Sequence, residues 1–228
     1  AFIFAAQMVN FTIPGTGSSG HIGGGILLAA VLGPWPALLT ITAVLTIQAL
    51  FFADGGLLAL GCNIFNMGVC ACLLGYIGVF RTIASRGLSA KRITAASVIA
   101  AVIGLQAGAF AVVLETLASG VTALPFTAFL LMMQPIHLAI GLTEGLITAA
   151  VLCCIYNARP EIIESALGKN SLSGTVSLKG TLASLALLTA VTASLFSLFA
   201  SASPDGLEWA IERTAGTSEL IRQGGIYD

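Results

Sequence analysis

Polar side chains are so sparse along this chain that its pattern is one of long apolar blocks separated by short polar seams. Five blocks, at about 36–53, 57–80, 93–118, 124–156 and 181–200, are long enough to cross a membrane. A helix rising 1.5 Å per residue needs roughly 20 apolar residues to traverse a hydrocarbon core about 30 Å thick. Backbone groups in lipid must be satisfied internally, so the blocks predict an all-α, polytopic transmembrane helical bundle. The block at 22–32 is shorter and glycine-rich, which predicts a partial or tilted helix packed against neighbours. The opening "AFIFAAQMVNFTI" has only 13 residues before Pro14 and is too short to span alone; it reads as the second half of a helix whose start is missing. With this block counted as the first and truncated, the chain carries about seven membrane segments. The pairs Gly104/Gly108 and Gly141/Gly145 are the small residues at four-residue spacing that let membrane helices approach closely.

Composition agrees with this pattern and excludes a soluble globule: 57% of residues are hydrophobic, 8% are charged, and the mean hydropathy is +1.00. The net charge of −1 matters less than its distribution. Arg81, Arg86, Lys91 and Arg92 crowd one inter-helix loop and Arg159, Lys169 and Lys179 another. Alternating helices therefore put seven of the nine Lys and Arg on one side, which the positive-inside rule makes cytoplasmic. The opposite, outer side then receives His21, Asp54, Glu115 and a C-terminal tail bearing Asp205, Glu208, Glu212, Glu219 and Asp228. The chain divides into a membrane domain over 1–160, a cytoplasmic linker over 161–180, and a helix with an extracytoplasmic tail over 181–228.

Within this frame the glycine motif Gly15-Thr16-Gly17-Ser18-Ser19-Gly20 matches G-x-G-x-x-G in spelling only. The dinucleotide fingerprint requires a preceding strand, a βαβ unit and an acid about 20 residues on. Here an apolar membrane segment precedes it and the first acid is Asp54. No Gly-Lys-Ser/Thr closes a P-loop anywhere in the chain. The motif is expected to be a flexible outer loop that delivers His21 to the start of a helix. The cysteines, Cys62, Cys70, Cys72, Cys153 and Cys154, are odd in number and lie inside apolar blocks, where small packing residues explain them better than disulfides or a thiolate metal site.

Ionisable groups inside a membrane are costly and are candidates for function. In "QPIHLAIGLTEGLIT", Gln134, His137, Gly141, Glu144 and Thr148 fall at helical spacing on one face, beside Pro135. Gln7 with Asn10, Gln48 near Asp54, and Asn63 with Asn66 are further polar positions, readable either as interhelical hydrogen-bonding groups or as the lining of a wet cavity. The only histidines, His21 and His137, favour a site, and imidazole donors point to a transition metal such as Zn, Cu, Fe or Ni. His137 and Glu144 lack the H-E-x-x-H spacing of zinc proteases.

"SGHIGGGILLAAVLGPW", "FFADGGLLALGCNIFNM" and "PIHLAIGLTEGLITA", in this order, resemble the CbiM/NikM family, the membrane substrate-capture subunits of energy-coupling-factor (ECF) transporters for cobalt and nickel. The tail "SASPDGLEWA" resembles the PDGLE segment of the small CbiN/NikN partner subunit. The resemblance implies a substrate-specific component of an ECF-type ABC transporter in the inner (cytoplasmic) membrane, not an enzyme. It would take up Co(II) or Ni(II) as transported substrate, use no organic cofactor, and work with a coupling transmembrane subunit and two ATPase subunits but no nucleic acid. It also implies that the metal is held by an N-terminal Met-His segment together with the loop histidine, here His21. The opening Met-His-Ile-Pro is not in this sequence. His137 is assigned to the metal site as well, with Asp54, Asn63 and Glu144 as outer partners or cavity wall. Two alternatives come from other classes: an intramembrane metalloenzyme with His21, His137 and Asp54 as ligands, and a structural membrane subunit in which the histidines only pack.

Overall fold

The structure, a computed structural model, describes residues 2–120, 124–168 and 178–217. Lys169 of the second basic loop and Glu219 and Asp228 of the tail lie outside the described residues.

The chain begins with a short helix α1 (Phe2–Gln7) and an antiparallel hairpin of β1 (Phe11–Ile13) and β2 (Ser18–Gly20). Then come α2 (Gly25–Leu32), α3 (Pro34–Phe51), a long helix α4 (Leu60–Ala84), α5 (Ala90–Ser119), α6 (Phe126–Ala158) and the short α7 (Pro160–Ala166). The C-terminal part is α8 (Leu178–Ser194), one 3₁₀ turn (Phe196–Phe199) and α9 (Gly206–Ala215). Over Ile64–Phe80 of α4 the backbone hydrogen bonds widen to i→i+5, and at its end Arg81 N–H donates to Tyr76 O.

Five helices are long and apolar enough to cross a membrane: Pro34–Phe51, Leu60–Ala84, Ala90–Ser119, Phe126–Ala158 and Lys179–Phe199. They coincide with the five apolar blocks, and the protein is a multi-pass membrane protein. At 8 residues, α2 is too short to span. The first block departs from the continuous helix expected of it. It is helical only to Gln7, and Phe11, Thr12 and Ile13, aromatic and β-branched residues suited to a strand, pair with Gly20, Ser19 and Ser18.

The bundle is centred on α4, α5 and α6. Gly104 and Gly108 of α5 lie on the α4 backbone: a Cβ at Gly108 would stand 2.6 Å from Asn66 O. Gly141 and Gly145 of α6 lie on α5, where a Cβ at Gly145 would stand 2.6 Å from Val98 Cα. Both glycine pairs thus perform the close packing predicted for them. Below them, Tyr76, Phe80, Ile93, Leu152 and Ile163 are fully enclosed with Ile26 of α2. Tyr76 Oη donates to Ala166 O (3.0 Å) and Tyr156 Oη to Leu88 O (3.3 Å). These bonds gather the Arg81–Arg92 turn and the Arg159 end of α6 at one end of the bundle. There Arg159 bonds Glu161 and holds its carboxyl below the usual carboxylate range. Helix α8 is almost wholly exposed and packs on α1.

Candidate metal site

The glycine motif is a hairpin turn. Gly15 and Gly17 adopt φ of +78° and +74°, conformations that glycine reaches without a Cβ penalty. Thr16 closes the turn, its hydroxyl donating to Ile13 O (2.8 Å) and accepting from Ser18 N–H (3.0 Å). Ile13 packs with Ile136 and Ile140 of α6, and Gly20 lies directly on the Ile140 side chain. The expected flexible loop is therefore a paired structure seated on α6, and it fixes the chain entering His21.

From His21 the chain runs into α2 through Ile22, Gly23 and Gly24, and Glu144 holds this connection. The Glu144 side chain is buried, and its two carboxylate oxygens accept from Gly23 N–H (3.1 Å) and Gly24 N–H (3.0 Å). Two amides at the start of a helix form a natural anion seat. A Cβ at Gly23 would come within 3.3–3.4 Å of both carboxylate oxygens. The carbonyl side of the Gly23–Gly24 peptide is held as well: Gln7 Nε2 donates to Gly23 O (2.8 Å), and Gln48 Nε2 donates to Gln7 Oε1 (2.9 Å). A buried hydrogen-bond chain thus runs from α3 through α1 and the His21 connection to α6.

About two turns before Glu144 on α6, His137 Nδ1 lies 2.8 Å from Met133 O. A carbonyl only accepts, so Nδ1 carries the hydrogen, and in the neutral imidazole Nε2 keeps its lone pair. The remaining members of the predicted α6 face are divided. Gln134 turns to α5, exchanging side-chain-to-backbone bonds with Gln106 (2.8 and 3.4 Å), and Gly141 packs on Val102. Thr148 is buried, its hydroxyl without a partner among the described residues. A cavity subtends only part of a helix face, and the neighbouring helix takes the rest.

His21, His137, Glu144, Asp54 and Asn63 all line one cavity of about 390 Å³. Asp54 is exposed at its edge, just after Ala53, a non-glycine residue at φ +54°. Asn63 Nδ2 donates to Gly55 O (2.9 Å), so its amide braces the Asp54 loop. Asn66 both lines the cavity and bridges helices: Nδ2 donates to Glu115 Oε2 (2.8 Å), while the buried Oδ1 has no partner among the described residues. His21 Nδ1 is likewise buried without a partner among the described residues. A buried imidazole nitrogen left unsatisfied is an unusual expense in a folded chain and fits a position that a cation or donor completes. Among the described residues, no three His, Cys, Asp or Glu side chains converge closely enough to hold a metal ion by themselves. The cysteines are free, and Cys70 and Cys72 are buried packing residues.

The sequence pattern did not reveal that the tail reaches this cavity. Asp205, Gly206 and Leu207 line it beside His21 and His137. Pro204 O accepts from Ser19 N–H (2.7 Å), Ser19 Oγ donates to Ser203 O (2.8 Å), and Ser201 N–H donates to Asn10 O (2.8 Å). Trp209 Nε1 donates to Thr16 O (2.9 Å). The signal available in sequence was local: Asp205 and Glu208 have the spacing of a helix-capping pair, and the structure contains that capping box.

Comparison with known proteins places these features in a family. The pattern described as "PDGLE domain" matches residues 179–227. A protein of Archaeoglobus fulgidus whose name is that of a fused nickel transport protein, NikMN, is 42% identical over 175 residues, covering 76% of this chain and 57% of its own length. A cobalt transport protein CbiM of Sorangium cellulosum is 33% identical over 168 residues, covering 72% of this chain and 73% of its own. The chain thus spans a little over half of the fused relative. A crystal structure described as a truncated transition metal transporter superposes with a TM-score of 0.58 at 35% identity, covering 69% of this chain and 77% of that one. The family is a metal-transport component and not an enzyme. Since residues 1–162 match the family described as "CbiM: Cobalt uptake substrate-specific transmembrane region", this chain belongs to the CbiM family.

Proposed function

We propose that this chain is the substrate-specific membrane component of an ECF-type ABC transporter that takes up nickel or cobalt, with His21 and His137 as metal-holding residues. The observation that carries the reading is the convergence of the only two histidines on one cavity, where His21 Nδ1 is buried without a partner among the described residues. Imidazole nitrogens suit Ni(II) and Co(II), and with two of them the ion draws its remaining donors from elsewhere, through water, backbone or further chain. Glu144 acts from behind, fixing the peptides that follow His21 and adding negative charge to the cavity wall. Asp54 and Asn63 form its outer edge.

Capture here needs no bond breaking: the ion is desolvated, held and released. Energy comes from two ATPase subunits through a coupling membrane subunit, docked beside the basic end with Arg81, Arg86 and Arg92. That end is cytoplasmic in our reading, and the hairpin and C-terminal tail are extracytoplasmic. The two family matches support a division into a metal-capture domain (1–160), a linker (161–180) and a PDGLE unit (181–228). The test is uptake of Ni and Co by cells expressing the intact operon, with and without His21→Ala. Uptake at wild-type levels by a correctly inserted His21→Ala variant would overturn the assignment.

A further inference from the structure

The hairpin that precedes His21 and the helix that carries His137 are touched by one and the same stretch of the tail, Pro204-Asp205-Gly206-Leu207-Glu208. Each residue of this pentapeptide has its own task. Pro204 presents its carbonyl to Ser19, two residues before His21, taking the backbone N–H at 2.7 Å and the Ser19 and Ser18 hydroxyls at 3.2 and 3.4 Å. Ser18 and Ser19 are fully enclosed. Asp205 caps α9, its Oδ1 accepting from Leu207 N–H (2.9 Å) and Glu208 N–H (2.8 Å), and Glu208 returns a bond to Asp205 N–H (3.4 Å). Leu207 packs with Val113, Phe129 and Met133.

Gly206 is the residue pressed against the site. A Cβ there would lie 3.1 Å from His137 Cε1, 3.4 Å from its Nε2 and 2.8 Å from Ile140 Cδ1. The imidazole therefore has Met133 O on its Nδ1 side and the Gly206 backbone against its Nε2 edge, the edge with the free lone pair. Glycine lets the cap of α9 sit this close without displacing the Ile140 end or the imidazole, which any Cβ would press upon.

We propose that the Pro204–Glu208 segment is an integral wall of the metal cavity and that Gly206 is a positioning residue that sets the His137 imidazole. Pro204, through Ser19, sets the approach of His21 in the same way. The inference rests on the reading of His21 and His137 as cation ligands. Tail docking and cation binding are then thermodynamically linked, and each strengthens the other by the same factor.

The test uses the full chain in lipid nanodiscs on a Trp35→Phe background. Trp209 is then the sole tryptophan, and its bond to the hairpin makes its emission a reporter of docking. Co(II) is titrated and its visible d–d bands are recorded. Gly206→Ala should shift those bands and weaken binding about tenfold or more, the effect typical of partners that orient a ligand. Asp205→Ala, which removes the cap, should red-shift Trp209 and weaken binding to a similar degree, with recovery in Asp205→Asn, which keeps the acceptor. Glu212→Gln, exposed on the far side of α9, should match the parent. Co(II) should in turn blue-shift Trp209 in the parent chain. Unchanged bands and affinity in both Gly206→Ala and Asp205→Ala, with binding still abolished by His21→Ala, would overturn the proposal and leave the metal site standing. Parental binding by His21→Ala would instead overturn the ligand assignment, and this inference with it.

Discussion

Replacing Glu144 by Gln removes one acceptor from a place that uses two. The carboxylate accepts from Gly23 N–H and Gly24 N–H at 3.1 and 3.0 Å, and the side chain is 2% exposed, so no bulk water can substitute. An amide of the same shape keeps one of these bonds and turns an NH2 group toward the other amide hydrogen. A hydrogen bond to a charged group contributes about 1.5–3 kcal/mol, and an unsatisfied buried donor costs about 1–3 kcal/mol. The two glycine peptides can relax in part, so about 2 kcal/mol is the expected penalty for holding the connection in its present place. If His21 is positioned by this connection, that penalty appears as a roughly thirtyfold weaker metal affinity, at about 1.4 kcal/mol per factor of ten. Glu144→Asp keeps both acceptors on a shorter arm and should fall between the two. The assay is calorimetric titration of Ni(II) and Co(II) into purified protein in nanodiscs, with circular dichroism to confirm helix content. A Glu144→Gln variant that is folded and binds the ion as tightly as the parent would refute the reasoning and make Glu144 an interhelical packing group.

His21→Ala should abolish capture while leaving helix content intact, and His137→Ala should weaken it by a smaller factor; equal losses in uptake assays would contradict that ranking. Gly145→Leu should separate α5 from α6, because the new side chain meets Val98 Cα, a backbone atom that cannot swing aside. Overpacking of this kind costs about 1–3 kcal/mol or more, and thermal melts in detergent should show a lowered Tm. Ser85→Cys, in the turn flanked by Arg81 and Arg92, should resist membrane-impermeant thiol reagents in intact cells, and efficient labelling from outside would reverse the proposed orientation.

The apolar blocks by themselves determined the five long helices, since the length of a span is fixed by bilayer thickness and by the rise of the helix. They determined the glycine pairs as packing surfaces for the same reason: spacing along one helix is a local property. His21, His137, Asp54, Asn63 and Glu144 were visible as costly polar residues in an apolar chain, because rarity needs no fold to be seen. Their roles were decided only by the tertiary structure. It pairs Phe11–Ile13 with Ser18–Gly20, turning an expected helix and loop into a hairpin. It joins Gln48, Gln7 and Glu144 through Gly23 and Gly24, residues far apart in the chain. It also carries Gly206 onto His137. Hydrophobic periodicity reports which way a side chain points from its own axis. It carries no record of which distant backbone amide or imidazole will stand opposite, and that pairing is set by how the helices pack.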